Sequence, residues 1–281
     1  MNAVKLISLY ANPEQQKAIV SDDREAGILL GVWGADDPSR PLSIDKEGTS
    51  LHLRGAKRFA SGLGLVDQAI VTAPGPESGP CLFIVPVQDD MRSDAASWNM
   101  AGMQATRSGR YDFDDIVIPS TACIGREGDY FLEPHFEGGI WRYCAAHLGG
   151  AEALYREMLT ILTASDRTDS TDQRRRTVAV ATALETARLW LVRCATEIEA
   201  VNCQPEKATL SLLAREVTER TCRDTIAHVD RALGMAAHEK GSRVERIRRD
   251  LSLFLCQAAP DAKRERAGRA LIASGELVET L

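Results

Sequence analysis

The stretch Trp98-Asn99-Met100-Ala101-Gly102-Met103-Gln104-Ala105-Thr106-Arg107-Ser108-Gly109 runs directly into Arg110-Tyr111-Asp112-Phe113-Asp114-Asp115-Ile116-Val117-Ile118-Pro119. From Gly109 onward apolar and polar side chains alternate up to a proline stop, the pattern of a half-buried last strand whose inward face meets a core. The fold is decided here, because this strand closes a β-rich region and everything after it has a different periodicity.

Upstream, short β-like runs are separated by turns. Leu51 and Leu53, followed by Arg54-Gly55, come after the turn Asp45-Lys46-Glu47-Gly48; Ala69-Ile70-Val71 precedes Pro74-Gly75; Cys81 to Val87 is a continuous apolar run. They predict a small antiparallel barrel or sandwich over residues 31–135. Residues 1–30 read as one or two short helices, with Leu6, Leu9 and Tyr10 on one face and Pro13 opening a second segment. Downstream of Gly138-Gly139 the period becomes helical, with helices expected at about 139–164, 172–201, 206–232 and 243–256. A four-helix bundle over 136–281 follows, and the fold class is α+β. Thr168 to Asp172 forms a polar linker able to cap the second helix.

Composition narrows the function. The chain has 281 residues, 44% hydrophobic and 26% charged, the balance of an ordinary globular protein. Its net charge of −6 repels phosphate backbones and argues against nucleic acid. No stretch reaches the roughly 18 continuous apolar residues of a membrane helix. The opening residues lack a basic segment followed by an apolar one, so a cytoplasmic protein is expected. Seven cysteines, at 81, 123, 144, 194, 203, 222 and 256, are never spaced C-x-x-C, which predicts neither disulfides nor a metal site but small buried side chains.

Several strings together resemble the acyl-CoA dehydrogenase family. Leu53-Arg54-Gly55-Ala56-Lys57-Arg58-Phe59-Ala60-Ser61-Gly62 is similar to the strand and turn beside the flavin in that family. Trp98 to Gly109 with Phe113 to Pro119 resembles its W-x-x-x-G-M-x-x-T-x-S and F-x-D-V-x-V-P passages. Arg142-Tyr143-Cys144-Ala145-Ala146 with Gly149-Gly150, and Arg249-Asp250, match landmarks of its helical bundle. The likeness spans residues 28 to 270. Residues 1–30 would then be the tail of the family's N-terminal helical domain, most of which would be missing from this chain.

The resemblance implies an FAD cofactor, an acyl thioester substrate, a glutamate base and a homodimer or homotetramer. On the β-domain side it points to Trp33, Phe59 and Ser61 as the flavin wall, since an aromatic stacks on the ring and a hydroxyl bonds its polar edge. Thr106, Ser108 and Arg142 are the implied substrate contacts. On the bundle side Arg167 and Gly234 stand where relatives hold the pyrophosphate, although Ser165-Asp166-Arg167-Thr168-Asp169 lacks the family's F-G and Gly234-Met235-Ala236-Ala237 keeps one glycine of a G-G-x-G turn. Eight residues beyond Asp250, at the position of the expected base, stands Ala258, which accepts no proton. Glu152, Glu157 and Glu185 are the conceivable substitutes; Cys256 reads as a buried structural thiol, and His147 and His238 as structural or exposed. Two other functions fit these departures: a non-catalytic binding or assembly subunit, or a flavin-dependent monooxygenase on the same fold.

Overall fold

The computed structural model describes residues 2–20, 27–77, 79–257 and 259–275. The chain divides into two compact units, Met1–Met100 with Gln104–Phe131, and Ala101–Met103 with Leu132–Leu281.

The first unit contains helices α1 (Asn2–Tyr10) and α2 (Pro13–Val20) and strands β1 (Leu30–Trp33), β2 (Ser43–Glu47), β3 (Ser50–Arg54), β4 (Ala56–Ala60), β5 (Gln68–Pro74), β6 (Pro80–Pro86), β7 (Ser93–Asp94), β8 (Gly109–Asp112), β9 (Ile116–Pro119) and β10 (Cys123–Ile124). They pair in three small sheets of order β1-β5-β6-β10, β2-β3-β9 and β4-β8-β7. Every pairing is antiparallel except β1 with β5. The sheets enclose a core of Trp33, Leu42, Leu53, Val71, Val85, Tyr111 and Phe113 and do not close into a barrel among the described residues.

Three expectations need correction. Gly109–Pro119 is not one strand: Asp112 accepts the Asp114 N–H at 2.8 Å in a turn, Asp115 sits at φ 62°, and the two halves join different sheets. An aspartate tolerates this left-handed backbone and bonds its own turn, so alternation survives where the strand does not. Asp45, Lys46 and Glu47 belong to β2, leaving only Gly48-Thr49 as the turn. In α1 the buried face is Ala3 and Ile7, packed with Ala11 on Ile70, Leu82 and Ile124, while Leu6 and Tyr10 are partly buried beside them. Asn12 and Gln15 exchange side-chain bonds to each other's backbone N–H at 2.9 and 2.8 Å, a capping box that starts α2.

The second unit carries α3 (Trp141–Ala164), α4 (Thr171–Ile198), α5 (Ala208–Leu233), α6 (Arg243–Phe254) and α7 (Pro260–Ser274). The four expected helices are joined by a fifth, α7, whose weakly amphipathic sequence buries only Ala267. Buried positions recur at helical spacing, as in Leu148, Ala151, Leu154, Met158 and Leu162 of α3. α5 is the axis of the unit and is buried on most of its circumference. Ser170 and Ser242 cap α4 and α6 by accepting the Gln173 and Glu245 N–H.

Candidate functional site

In the first unit, β4 opposite β8 contains a bulge between Lys57 and Ala60. Arg58 and Phe59 are consecutive yet both exposed, because the extra residue re-aims the side chains that follow it. Phe59 takes φ 56°, a costly conformation for an aromatic residue, and leaves 46% of its surface in solvent. Its ring meets the edge of Trp98 at 6.0 Å between centroids, and the Arg58 guanidinium lies 4.6 Å from its centre. An apolar ring held at the surface by a strained backbone offers a stacking face.

Beside it runs a chain of hydroxyls. Ser61 Oγ is 2.8 Å from Ser108 Oγ, which is 2.7 Å from Thr106 Oγ1. The backbones carrying them are zipped together, with Gly62 N–H donating to Thr106 O and Leu63 N–H to Arg107 O, both at 2.9 Å. Each serine precedes a glycine that the packing demands. A Cβ on Gly62, at φ 81°, would fall 2.7 Å from Val66, and one on Gly109 would fall 2.4 Å from Asp94 O. Ser108 is buried while Ser61 is exposed, so the chain leads from the core to the surface.

Trp33 does not share that surface. It is 3% exposed, its ring packs on Tyr111 at 5.3 Å, and its indole N–H donates to Ser61 O at 3.0 Å. It holds the Ser61 turn from beneath; the aromatic face is formed instead by Phe59 with Trp98, whose spacing from Phe59 in the sequence hides their contact. Lys57 also escaped sequence reasoning. Fully buried, it binds Asp36 at 2.6 Å and Thr72 Oγ1 at 3.1 Å, anchoring the Gly34–Pro38 loop, and burial pulls its pKa down against the opposing pull of Asp36. A separate hollow of about 770 Å³ in this unit, lined by Ile19, Ile84, Ile116 and Val117, contains neither Phe59 nor the hydroxyls.

The bundle-side residues lie in the second unit. Arg167 lies near the end of α5, where it donates Nη2 to Ala232 O at 2.9 Å and Nε to Ser165 Oγ at 3.3 Å, and Gly234 follows that helix end in the chain. Gly234 is needed there for its backbone, at φ 64° and ψ −142°, and a Cβ would meet nothing within 4 Å. Arg142 pairs with Glu199 and is mostly buried, which ties the start of α3 to the end of α4. Glu152 is held by Arg156 and Arg188, Glu185 by Arg188 and Glu157 by Arg243. Asp250 accepts the Met103 N–H at 2.7 Å, and so fixes the short segment that precedes Thr106 in the chain.

Cys256 is exposed rather than buried, a correction that follows from its place just beyond α6. His147 is 1% exposed, with its ring against Phe254 at 4.2 Å and Tyr143 at 5.4 Å; burial first, and the Arg215 charge second, bring its pKa down to about 4. His238 is exposed beside Arg248 and Asp230. Ala258 lies outside the described residues. Among the described residues no group of His, Cys, Asp or Glu could hold a metal ion, and no helix is long and apolar enough to cross a membrane.

Phe59, exposed and edge-on to Trp98, with the exposed Ser61 hydroxyl two residues on, fits one side of a flavin ring: an apolar contact with a hydroxyl near it. The Arg167 corner fits a diphosphate less well, since its guanidinium is already directed at a carbonyl and a hydroxyl.

No protein-family profile matches the chain. Solved structures do. Dibenzothiophene monooxygenase TdsC from Paenibacillus sp. A11-2 superposes with a TM-score of 0.80 at 19% identity, over 98% of this chain and 77% of that one. A further crystal structure of TdsC is FMN-bound. Methanesulfinate monooxygenase MsuC from Pseudomonas fluorescens gives 0.82 at 18% identity, over 98% and 77%. An acyl-CoA dehydrogenase from Geobacillus kaustophilus gives 0.81 at 15% identity, over 95% and 75%. The chain therefore has an acyl-CoA dehydrogenase-like fold, one that also serves monooxygenases.

Proposed function

We propose that this chain is an acyl-CoA dehydrogenase-like flavoprotein, an oxidoreductase that binds FAD against its β-rich unit and oxidises a CH–CH bond of an acyl thioester. The observation that carries the reading is Phe59, half exposed at φ 56° beside the Ser61–Ser108–Thr106 hydroxyl chain. Strain of this kind persists where the surrounding structure enforces it, and it collects at ligand sites. When bound, the flavin would supply the two-electron acceptor. Phe59 and Trp98 would cover one ring face and exclude water from it, while Ser61 would hydrogen-bond the ring's polar edge with a hydroxyl oriented by Ser108. Thr106, Ser108 and Arg142 remain the proposed substrate contacts, and Arg167 with Gly234 the proposed contacts to the far end of the cofactor. A homodimer or homotetramer in the cytoplasm is the proposed setting; the exposed Val178, Leu189 and Val192 on α4 support association.

A specific observation favours a second reading, a flavin-dependent monooxygenase. Leu255, Cys256, Gln257 and Ala259, the described residues between α6 and α7, include no carboxylate or imidazole to take an α-proton. The engagement of Arg167 likewise suits FMN, which has no diphosphate, as well as FAD. Visible absorption of the purified chain, with and without added FAD or FMN, tests both readings. Flavin bands with anaerobic bleaching by acyl-CoA would establish the dehydrogenase, and bands without bleaching would favour the monooxygenase. A chain that takes up neither flavin would sink both and leave a non-catalytic binding subunit.

A further inference from the structure

Arg215 is an unexpected resident of the bundle core. At 1% exposure it is among the largest fully buried side chains of the described residues. Its Nη1 binds Glu219 at 2.5 Å, and Glu219 is shared with Arg223 at 2.7 Å. A buried ion pair is poor evidence of stabilisation, because apolar side chains of similar volume commonly serve the fold as well or better. The second arm of the guanidinium shows a geometric use: Nη2 donates to Leu255 O at 3.2 Å and reaches toward Gln257 O at 3.5 Å.

These carbonyls belong to the connection between α6 and α7. Leu255 is completely buried, Phe254 is wedged against the His147 ring at 4.2 Å, and Ala259 opens α7 from a left-handed φ of 50°. A non-glycine residue in that region costs about 1 kcal/mol and needs to be held. α6 in turn carries Asp250, whose carboxylate accepts the Met103 N–H; a Cβ on Gly102 would lie 3.0 Å from the same carboxylate. Met103 is followed in the chain by the hydroxyl residues Thr106 and Ser108.

We propose that Arg215 is a positioning residue: its fork pins the α6–α7 corner, and through α6 the Asp250 clamp on Gly102-Met103. Lysine cannot reproduce this, since one ammonium cannot reach Glu219 and two carbonyls with the same planar fork. Only the ligand readout below rests on the proposed flavin site.

The test compares the wild-type chain with Arg215→Lys and with the double variant Arg215→Met/Glu219→Leu, which removes the buried pair and leaves the half-exposed Arg223 to solvent. Hydrogen exchange followed by mass spectrometry should show amides of residues 255–259 and 102–103 exchanging on the order of tenfold faster in both variants, with the middle of α5 unchanged. Thermal melting of the double variant should stay near wild type, and FAD or FMN affinity should fall severalfold if the wild type binds either. Unchanged exchange at 255–259 in a folded double variant overturns the proposal, and so does restoration of full protection by lysine. A wild type that binds no flavin would end the proposed function while exchange still decides the role of Arg215.

Discussion

The hydroxyl chain of the β-rich unit and the buried Arg215–Glu219 pair of the helical unit show two uses of polar side chains. In the β-rich unit, Phe59 at φ 56° and Arg107 at φ 47° flank Ser61 and Ser108, and the hydroxyl chain opens to the surface. In the helical unit Arg215 and Glu219 are buried and spent on holding α5 to the residues after α6, and His147 is buried with its ring against Phe254. Backbone strain collects at ligand sites, which is why the Phe59 surface carries the proposed flavin contact, whereas buried charge in a fixed geometry serves a scaffold. Arg142 and Arg167, expected as ligand contacts, each also bond at the ends of helices.

The contrast can be broken by measurement. Leu154→Ala, at a fully buried position of α3, should cost about 3 kcal/mol in urea denaturation; a loss below 1 kcal/mol would mean the bundle core is not packed as described. Acid should act on the same unit. His147 has a folded pKa of about 4 against 6.5 unfolded, so its stabilising effect is complete above pH 6.5 and is lost as the pH falls toward 4. The loss should reach about 3 kcal/mol, and His147→Leu should remove that part of the pH dependence. If the variant's denaturation curve keeps the wild-type slope between pH 7 and 4.5, another group is responsible.

On the ligand side the expected effects are smaller in stability and larger in binding. Phe59→Gly should weaken flavin binding on the order of tenfold, about 1.4 kcal/mol, while raising or preserving the melting temperature, because glycine relieves the positive φ. A variant that loses stability and affinity together would make Phe59 a scaffold residue. Ser61→Ala should shift the visible flavin spectrum and change stability by less than about 1 kcal/mol. Arg167→Gln is the smallest: if its guanidinium only caps α5, FAD affinity should change less than about threefold, and a larger loss would return it to the cofactor.

Much of this was legible in residues alone. The bundle periodicity placed α3 to α6 within a few residues, and the strings around Phe59, Trp98 and Arg249-Asp250 were enough to point to the fold. What was not legible has one cause. Alternation between Gly109 and Pro119 persists through the Asp112 turn, so a local pattern could not reveal that its halves pair with β4 and β3 respectively. The Phe59 bulge and the Trp33 indole are similarly invisible, because inward or outward placement depends on partners dozens of residues away.

Sequence by itself determined the order of elements and the residue types available, since helix period, turn residues and caps act within a few positions along the chain. Tertiary structure alone decided that Phe59 faces out while Trp33 faces in, that Ser61 meets Ser108, and that Arg215 is sealed among α5, α6 and α7. These depend on which distant groups exclude water from one another, and no local pattern encodes that.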